Sequence, residues 1–426
     1  MPRIRSSSNP NRLLPSAELR RPLAAGVLLF VASWLFLSYV PAFSAWLYGD
    51  VRFYENWGTL MAAHAVPYRD FNIEYPPGAL ITFLVPVYVR KLVGYQGTYY
   101  DWFRVEILVI GVLTIYAMAW ALAFLGASRR RAYAALCFAG VAPAVLGPIA
   151  LSRYDYWPAL WAVAAVAALA ARRPVLACGL AAVGTAAKVY PGVLIPLALI
   201  ELWRRNRTRG VAEGVAAAAG VVLAICAAFL AVAPHGVAWA LHRQFNRPLQ
   251  VESLGAAVLE AAHSLAHFRL HVVKSFGSDN LVGSAPDLAV TLSTVATVLL
   301  LLAVYVLYAR SGRTREELVT ASAAAVTVYI AFSKVFSPQY LVWLVPLVPL
   351  VGGRRGLRAG ALLAVVIGMT QIWEPYRYAD FYRTFPPWIT WLVIVRDVLV
   401  VGLLAVLVRP SGRHAEQLDP VRAAVV

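Results

Sequence analysis

The sequence predicts an all-α, polytopic integral membrane protein, and three observations carry that expectation. Hydrophobic residues make up 61% of the 426-residue chain and charged residues only 14%, where a soluble domain is about a quarter charged. Apolar runs long enough for helices recur from one end of the chain to the other. The excess of 38 Lys and Arg over 21 Asp and Glu is concentrated in alternate gaps between those runs, as basic loops on one side of a bilayer require. Together these exclude an ordinary soluble enzyme. They also remove the need for a nucleic-acid partner to explain a net charge of +17.

In chain order, a basic tail over 1–21 with Arg3, Arg5, Arg12, Arg20 and Arg21 precedes an apolar stretch at 22–47. That stretch is too long for the core of a signal peptide and reads as a retained anchor. Further segments at 105–125, 132–151, 157–171, 174–187, 192–203, 211–233, 288–309, 318–334, 339–352, 359–373 and 387–408 bring the expected total to about twelve transmembrane helices. The runs 174–187 and 192–203 are short enough for half-helices or a tilted hairpin. The run 78–93 ends in Arg90-Lys91 and is placed in the interface. The chain divides into the 1–21 tail, a single transmembrane domain at 22–408 and a second basic tail at 409–426.

With the N-terminus inside, the gaps 1–21, 126–131, 172–173, 204–210, 310–317, 353–358 and 409–426 hold 23 of the 38 cations. Both termini are therefore expected on the cytoplasmic face of a multi-pass plasma-membrane protein. The opposite face receives the loop 48–77, the tetrad Ser152-Arg153-Tyr154-Asp155, the corner Lys188-Val189-Tyr190-Pro191, the loop 234–287, the turn 333–339 and the segment 373–387. Charge at helix ends is costly unless paired or used, so the extracytoplasmic face is expected to carry function.

Asp50 follows the first apolar stretch, at the membrane surface. As a carboxylate it suits a general base toward a sugar hydroxyl, but from spacing alone the N-cap of a helix beginning at Val51 is the commoner role for such a residue. Glu55, five positions on, need not share its face. Arg69, Asp70 and Glu74 either form an ordering ion-pair cluster or contact a sugar, and Pro76-Pro77-Gly78 fixes a corner. Arg153, Lys188, Arg243, Arg247 and Lys334 are outward cations that would suit a lipid phosphate, each also readable as a snorkelling side chain. Lys188 stands out, because it separates two short apolar runs.

Other signals are weaker. His263, His267 and His271 recur every four residues and would share one face of an amphipathic interfacial helix, with metal binding the lesser reading. Arg396-Asp397 reads as an internally paired structural charge. Trp373, Tyr376, Tyr378, Phe381, Tyr382 and Trp388 read as an interfacial aromatic belt. Cys137, Cys178 and Cys226 all sit inside apolar runs, with no disulfide framework or metal spacing. No P-loop lysine signature is present, and no DxD pair sits on a cytosolic domain to hold a metal–nucleotide-sugar.

Several strings carry a resemblance. DVRFYENW beginning at Asp50, PYRDFNIEYPPGAL, SRYDYWPALWAVAAVAAL, GLAAVGTAAKVYPGVLIPLAL, NRPLQVESLGAAVL and FSKVFSPQYLVWLVPL resemble the polytopic mannosyltransferases of glycosyltransferase family 87. That family lies within the GT-C superfamily, and the similarity covers about 46–347. It implies a GT-C-type fold with interfacial helices in the first outer loop. It also implies metal-independent, inverting transfer of mannose from a polyprenyl-phosphate donor to a glycolipid or glycan acceptor outside the membrane, with no cofactor beyond the donor itself. By motif position Asp50 becomes the general base. Lys188, with Arg153, Arg243 and Lys334, would hold the donor phosphate. Tyr54, Glu55, Arg69, Asp70, Glu74, Asp155, Gln250, Glu252 and Gln339 would line the sugar and acceptor site. The runner-up is a transporter or flippase of lipid-linked sugars, which the broken hairpin would suit; polar residues gathered on one face count against it.

Overall fold

A computed structural model describes residues 17–44, 46, 48–311 and 314–409. Arg3, Arg5 and Arg12 of the N-terminal tail, and all of the C-terminal tail beyond Arg409, lie outside the described residues. The helices are α1 (Ala17–Tyr39), α2 (Pro41–Ser44), α3 (Val51–Ala62), α4 (Leu80–Leu92), α5 (Tyr99–Phe124), α6 (Arg129–Leu146), α7 (Tyr156–Ala170) and α8 (Pro174–Ala187). They continue as α9 (Ile195–Val232), α10 (Pro234–Phe245), α11 (Leu254–Ala266), α12 (Ser284–Ser311), α13 (Arg315–Phe332), α14 (Leu341–Leu344), α15 (Gly353–Trp373), α16 (Tyr378–Thr384) and α17 (Pro387–Val408).

Local chemistry sets many of these bounds. Thr98 and Asp101 form a reciprocal capping box that starts α5, and Thr314 with Glu317 does the same for α13. Inside α9 the backbone breaks at Arg207, with φ +51°. A Cβ built on Gly214 would stand 2.9 Å from Leu199 and 2.5 Å from Leu202. Those residues are far apart along a straight rod, so α9 is a hairpin folded back at Arg207. The run expected as a helix at 339–352 is instead a broken crossing of two 3₁₀ turns around α14, because Pro338, Pro346 and Pro349 interrupt the hydrogen-bond ladder.

Seven helices among the described residues are long and apolar enough to cross a membrane. Of the other expected crossings, α7, α8 and the broken stretch Pro338–Leu350 are shorter, and α13 is an 18-residue helix outside those seven. The long apolar stretch Tyr190–Val232 counts once among the seven although it folds back at Arg207, and proline and tight turns shorten others below the length of a full span. The segment 78–93 contains α4, a 13-residue helix ending in Arg90 and Lys91. The loop 234–287 is not purely helical. It contains α10, α11 and a small antiparallel sheet of β1 (Leu249–Gln250), β2 (Val272–Ser275) and β3 (Ser278–Leu281), ordered β1-β3-β2. The expected histidine helix ends early. Only His263 lies in α11, His267 takes a left-handed backbone at its C-cap, and His271 lies beyond it, outside any helix. The three do not share a helix face.

Small residues let the spans approach closely, as lipid-embedded packing demands. A Cβ on Gly140 of α6 would stand 2.5 Å from the Gly26 carbonyl of α1, and the Ser33 hydroxyl donates to the Gly140 carbonyl at 2.8 Å. Phe30 of α1 meets Tyr156 of α7 edge-on at 5.5 Å. By contrast α12 shows Leu288, Leu292 and Leu299 at 60% exposure each, an apolar surface suited to lipid. The bundle has two distinct ends. At one, α1, α6, α8, α13 and α15 finish while α3, α5, α7 and α17 begin. The other carries the Arg-rich starts of α6 and α15.

Candidate active site

At the first of these ends, α3 begins with Asp50 in the N-cap position. Its backbone is helical (φ −79°, ψ −7°) and its side chain makes no cap hydrogen bond. The capping role that spacing alone allowed is therefore not what this carboxylate does. Asp50 Oδ2 instead faces Arg153 Nε at 3.2 Å, with the Asp50 side chain 32% exposed. Among the described residues no hydrogen bond ends on the Asp50 carboxylate. Gly49 makes the approach possible: it sits at φ +33°, and a Cβ there would stand 2.2 Å from Arg153 Nη1.

Arg153 belongs to the turn between α6 and α7, where Nη1 donates to the Ser152 carbonyl at 3.0 Å. Two residues on, Asp155 is almost fully buried. Its Oδ1 accepts from Lys188 Nζ at 2.6 Å and from the Trp343 indole at 2.6 Å. Its Oδ2 is enclosed without a hydrogen-bond partner. Lys188 closes α8 and is surrounded by rings, 5.0 Å from Tyr154, 5.0 Å from Tyr340 and 5.1 Å from Trp343. Trp343 is stacked at 3.9 Å on both Tyr190 and Tyr340. Arg247 lies near enough for its charge to act on Lys188, Lys334 and Tyr340, so its charge links the two lysines.

The long loop is tied onto this end. Arg243 pairs with Glu74, at 2.9 Å from Nε and 2.5 Å from Nη2, and its guanidinium lies 4.0 Å over Phe276. Lys334 Nζ donates to the Phe245 carbonyl at 2.6 Å, while the Gln250 amide donates to the Lys334 carbonyl at 3.0 Å. Gln250 and Glu252 are buried. Burial, with Glu374 as the next cause, pushes the Glu252 carboxyl up to about 8.

The remaining expected site residues differ in how near they lie to Asp50 and Lys188. Tyr54 is fully enclosed, stacked 4.4 Å from Phe83, and lies within electrostatic reach of Asp50 and Arg153. Glu55 faces Tyr99 and Tyr100 electrostatically, not Asp50. Arg69 and Asp70 form an exposed ion pair at 2.9 Å; Asp70 also accepts from the Val66 amide and is held down at about 2, first by its hydrogen bond from Arg69. That pair orders its own turn. Gln339 is half-buried on the 3₁₀ turn beside Tyr340. Arg396 and Asp397 pair at 2.7 Å inside α17 as expected, and Arg396 also reaches the Glu252 carbonyl at 2.6 Å.

Sequence reasoning missed Glu374, at the end of α15. Its Oε2 is enclosed without a hydrogen-bond partner, and it interacts with Arg153, Asp50 and Arg396. Burial pushes its carboxyl up to about 7, opposed by Arg153. The available signal was a lone acid directly following an apolar run. Trp343, buried in an apolar stretch, carried no signal of its role.

Among the described residues, no group of three or more His, Cys, Asp or Glu is arranged to hold a metal ion. The site therefore combines a reachable carboxylate, convergent cations and an aromatic wall, an arrangement suited to a sugar phosphate. No curated protein matches the sequence. The description of Glycosyltransferase family 87 matches residues 73–338, which span Glu74, Arg153, Asp155, Lys188, Arg243, Gln250, Glu252 and Lys334, with Asp50 lying before them. On that match, over more than half of its length, the chain belongs to glycosyltransferase family 87 and is a membrane glycosyltransferase.

Proposed function

We propose that this glycosyltransferase moves a sugar, mannose in the first instance, from a polyprenyl-phosphate carrier to a hydroxyl of a glycolipid or glycan on the extracytoplasmic side of the plasma membrane. The observation that carries the reading is the state of Asp50. It is not spent on capping α3, it is held beside Arg153 at 3.2 Å, and it remains open to the outside. In the reaction, the Asp50 carboxylate takes the proton of the acceptor hydroxyl. That oxygen attacks the anomeric carbon while the bond from that carbon to the phosphate oxygen breaks, inverting configuration. The phosphate leaves with the bonding electrons as an anion already partly ionised, so no general acid or metal is required.

Charge on the departing phosphate is met by cations fixed before it arrives. Lys188 is the first of these, aligned by Asp155 and the rings of Tyr154, Tyr340 and Trp343. Arg247 and Lys334 stand on the same side, and Arg153 orients the base. Arg243 is committed to Glu74 and serves instead to hold the long loop over the site. Membership in a glycosyltransferase family favours transfer over the flippase reading. The test is to give the purified protein polyprenyl-phospho-mannose and extracts of membrane glycolipid. Radiolabel from the sugar should move to acceptor with wild type. Comparing lipids and glycans of a strain lacking the protein identifies that acceptor; unchanged profiles in such a strain would count against the reading.

A further inference from the structure

α6 and α15 both end near the Asp50–Arg153 pair, so their N-terminal turns mark the far end of the bundle, about 27 Å away for an 18-residue helix. There the two helices part around a cavity of about 620 Å³. Its walls are apolar, from Ala134 and Phe138 on α6 to Leu357, Gly360 and Ala364 on α15. The glycines keep the α15 wall flat. A Cβ on Gly360 would meet nothing within 4 Å, so that position opens onto empty space. Leu357 is 69% exposed, which leaves the cavity open sideways, toward where lipid would lie.

The mouth is cationic. Arg131 lines it but is committed, with Nη1 2.5 Å and Nη2 2.8 Å from Glu316 and a further bond to the Leu350 carbonyl. Arg130 also lines it and is exposed, and no hydrogen bond or ion pair engages it among the described residues. Arg354, likewise exposed, follows the lining residue Gly353 directly. An acyl-chain-sized apolar slot with unspent guanidinium charge at its rim matches one class of molecule, an amphiphile with an apolar tail and an anionic head.

We propose that this cavity is a binding site for an anionic glycerophospholipid, with one acyl chain between α6 and α15 and the phosphate at Arg130 and Arg354. The occupant sits in the leaflet opposite Asp50 and is separate from any donor or acceptor bound there. The slot joins the starts of two helices whose other ends carry Glu374 and the turn leading to Arg153, so a bound lipid would brace the frame of the active end.

Native mass spectrometry of the full-length protein in detergent tests this, with dioleoyl phosphatidylglycerol and dioleoyl phosphatidylcholine titrated separately. The wild type is expected to retain phosphatidylglycerol in preference to phosphatidylcholine. Arg130→Ala should weaken phosphatidylglycerol retention by about fivefold and leave phosphatidylcholine unchanged. Gly360→Leu, which grows into open space without touching the backbone of its neighbours, should remove retention of both lipids while the thermal unfolding midpoint holds. Equal retention of the two lipids by wild type, or unchanged retention in both variants, would overturn the proposal.

Discussion

Asp50 and Arg153 face one another at 3.2 Å across 103 residues of sequence, and neither is placed by its own helix. Asp50 stands at the start of α3 without capping it, and Arg153 lies in the turn before α7. Gly49 supplies the space between them. The pair is an ion contact without hydrogen-bond alignment, since Arg153 Nε has no hydrogen-bond acceptor. In the proposed reaction the carboxylate offers its lone pairs to the acceptor hydroxyl, while the guanidinium charge beside it sets its position.

Gly49→Ala tests that spacing. The added methyl would overlap Arg153 Nη1 at 2.2 Å and sit on a backbone with φ +33°. Arg153 must swing away, and misplacing a positioned group can cost about 100-fold in rate. Transfer should fall by that order while protein yield in detergent is retained. Wild-type turnover in Gly49→Ala would show that the Arg153 contact does not orient the base.

Lys188 should respond in two separable ways. Lys188→Met leaves Asp155 buried with the Trp343 indole as its remaining donor, and removing one partner of a buried pair destabilises by about 3–5 kcal/mol. Adding Asp155→Asn removes the stranded charge and should restore most of the thermal stability. Donor affinity should stay reduced by about tenfold or more in the double variant, for lack of the charged contact to phosphate. If full donor affinity returned with stability, Lys188 would be structural only.

Glu252 gives a pH signature. Its carboxyl is held at about 8 in the fold against an ordinary 4.5, so the native state binds the proton more tightly than the unfolded chain. The stability linked to this group is full below about pH 4.5 and is lost as pH rises through about 8. Unfolding midpoints in detergent should drop between pH 5.5 and 8.5, and Glu252→Gln should flatten that drop. An identical pH profile in the variant would show that Glu252 is not the titrating group.

The Glu74–Arg243 pair ties the loop 48–77 to α10. Double-mutant cycles with Glu74→Gln and Arg243→Met should give a coupling of about 1 kcal/mol, as for contacting charged groups. Chymotrypsin cleavage in 234–287 should also rise in either single variant. Additive effects with no change in cleavage would mean the long loop is held by other contacts.

Much of this was legible in the sequence, for identifiable reasons. Apolar runs and the alternation of arginine clusters are local signals, and they placed helix ends correctly around Asp50, Arg153, Lys188 and Lys334. Family strings such as PYRDFNIEYPPGAL pointed to the family that the match over 73–338 shows. What could not be read was partnership. Asp155 meets Trp343 across 188 residues, and Glu74 meets Arg243 across 169; no spacing rule reaches that far. The small sheet at 249–281 was hidden because its strands are only two to four residues long, too short for alternation to register. The histidine periodicity misled because α11 stops at Ala266, where His267 turns left-handed.

The most direct measurement is single-turnover sugar transfer by purified Asp50→Asn with a polyprenyl-phosphate donor. The substitution keeps the shape of the side chain and removes its capacity to take a proton. Loss of a general base costs about 10²- to 10⁴-fold, so transfer should fall by at least the lower figure, with donor binding and the unfolding midpoint close to wild type. Turnover at the wild-type rate would contradict the assignment of Asp50 as the base and, with it, the mechanism built on the Asp50–Arg153 pair.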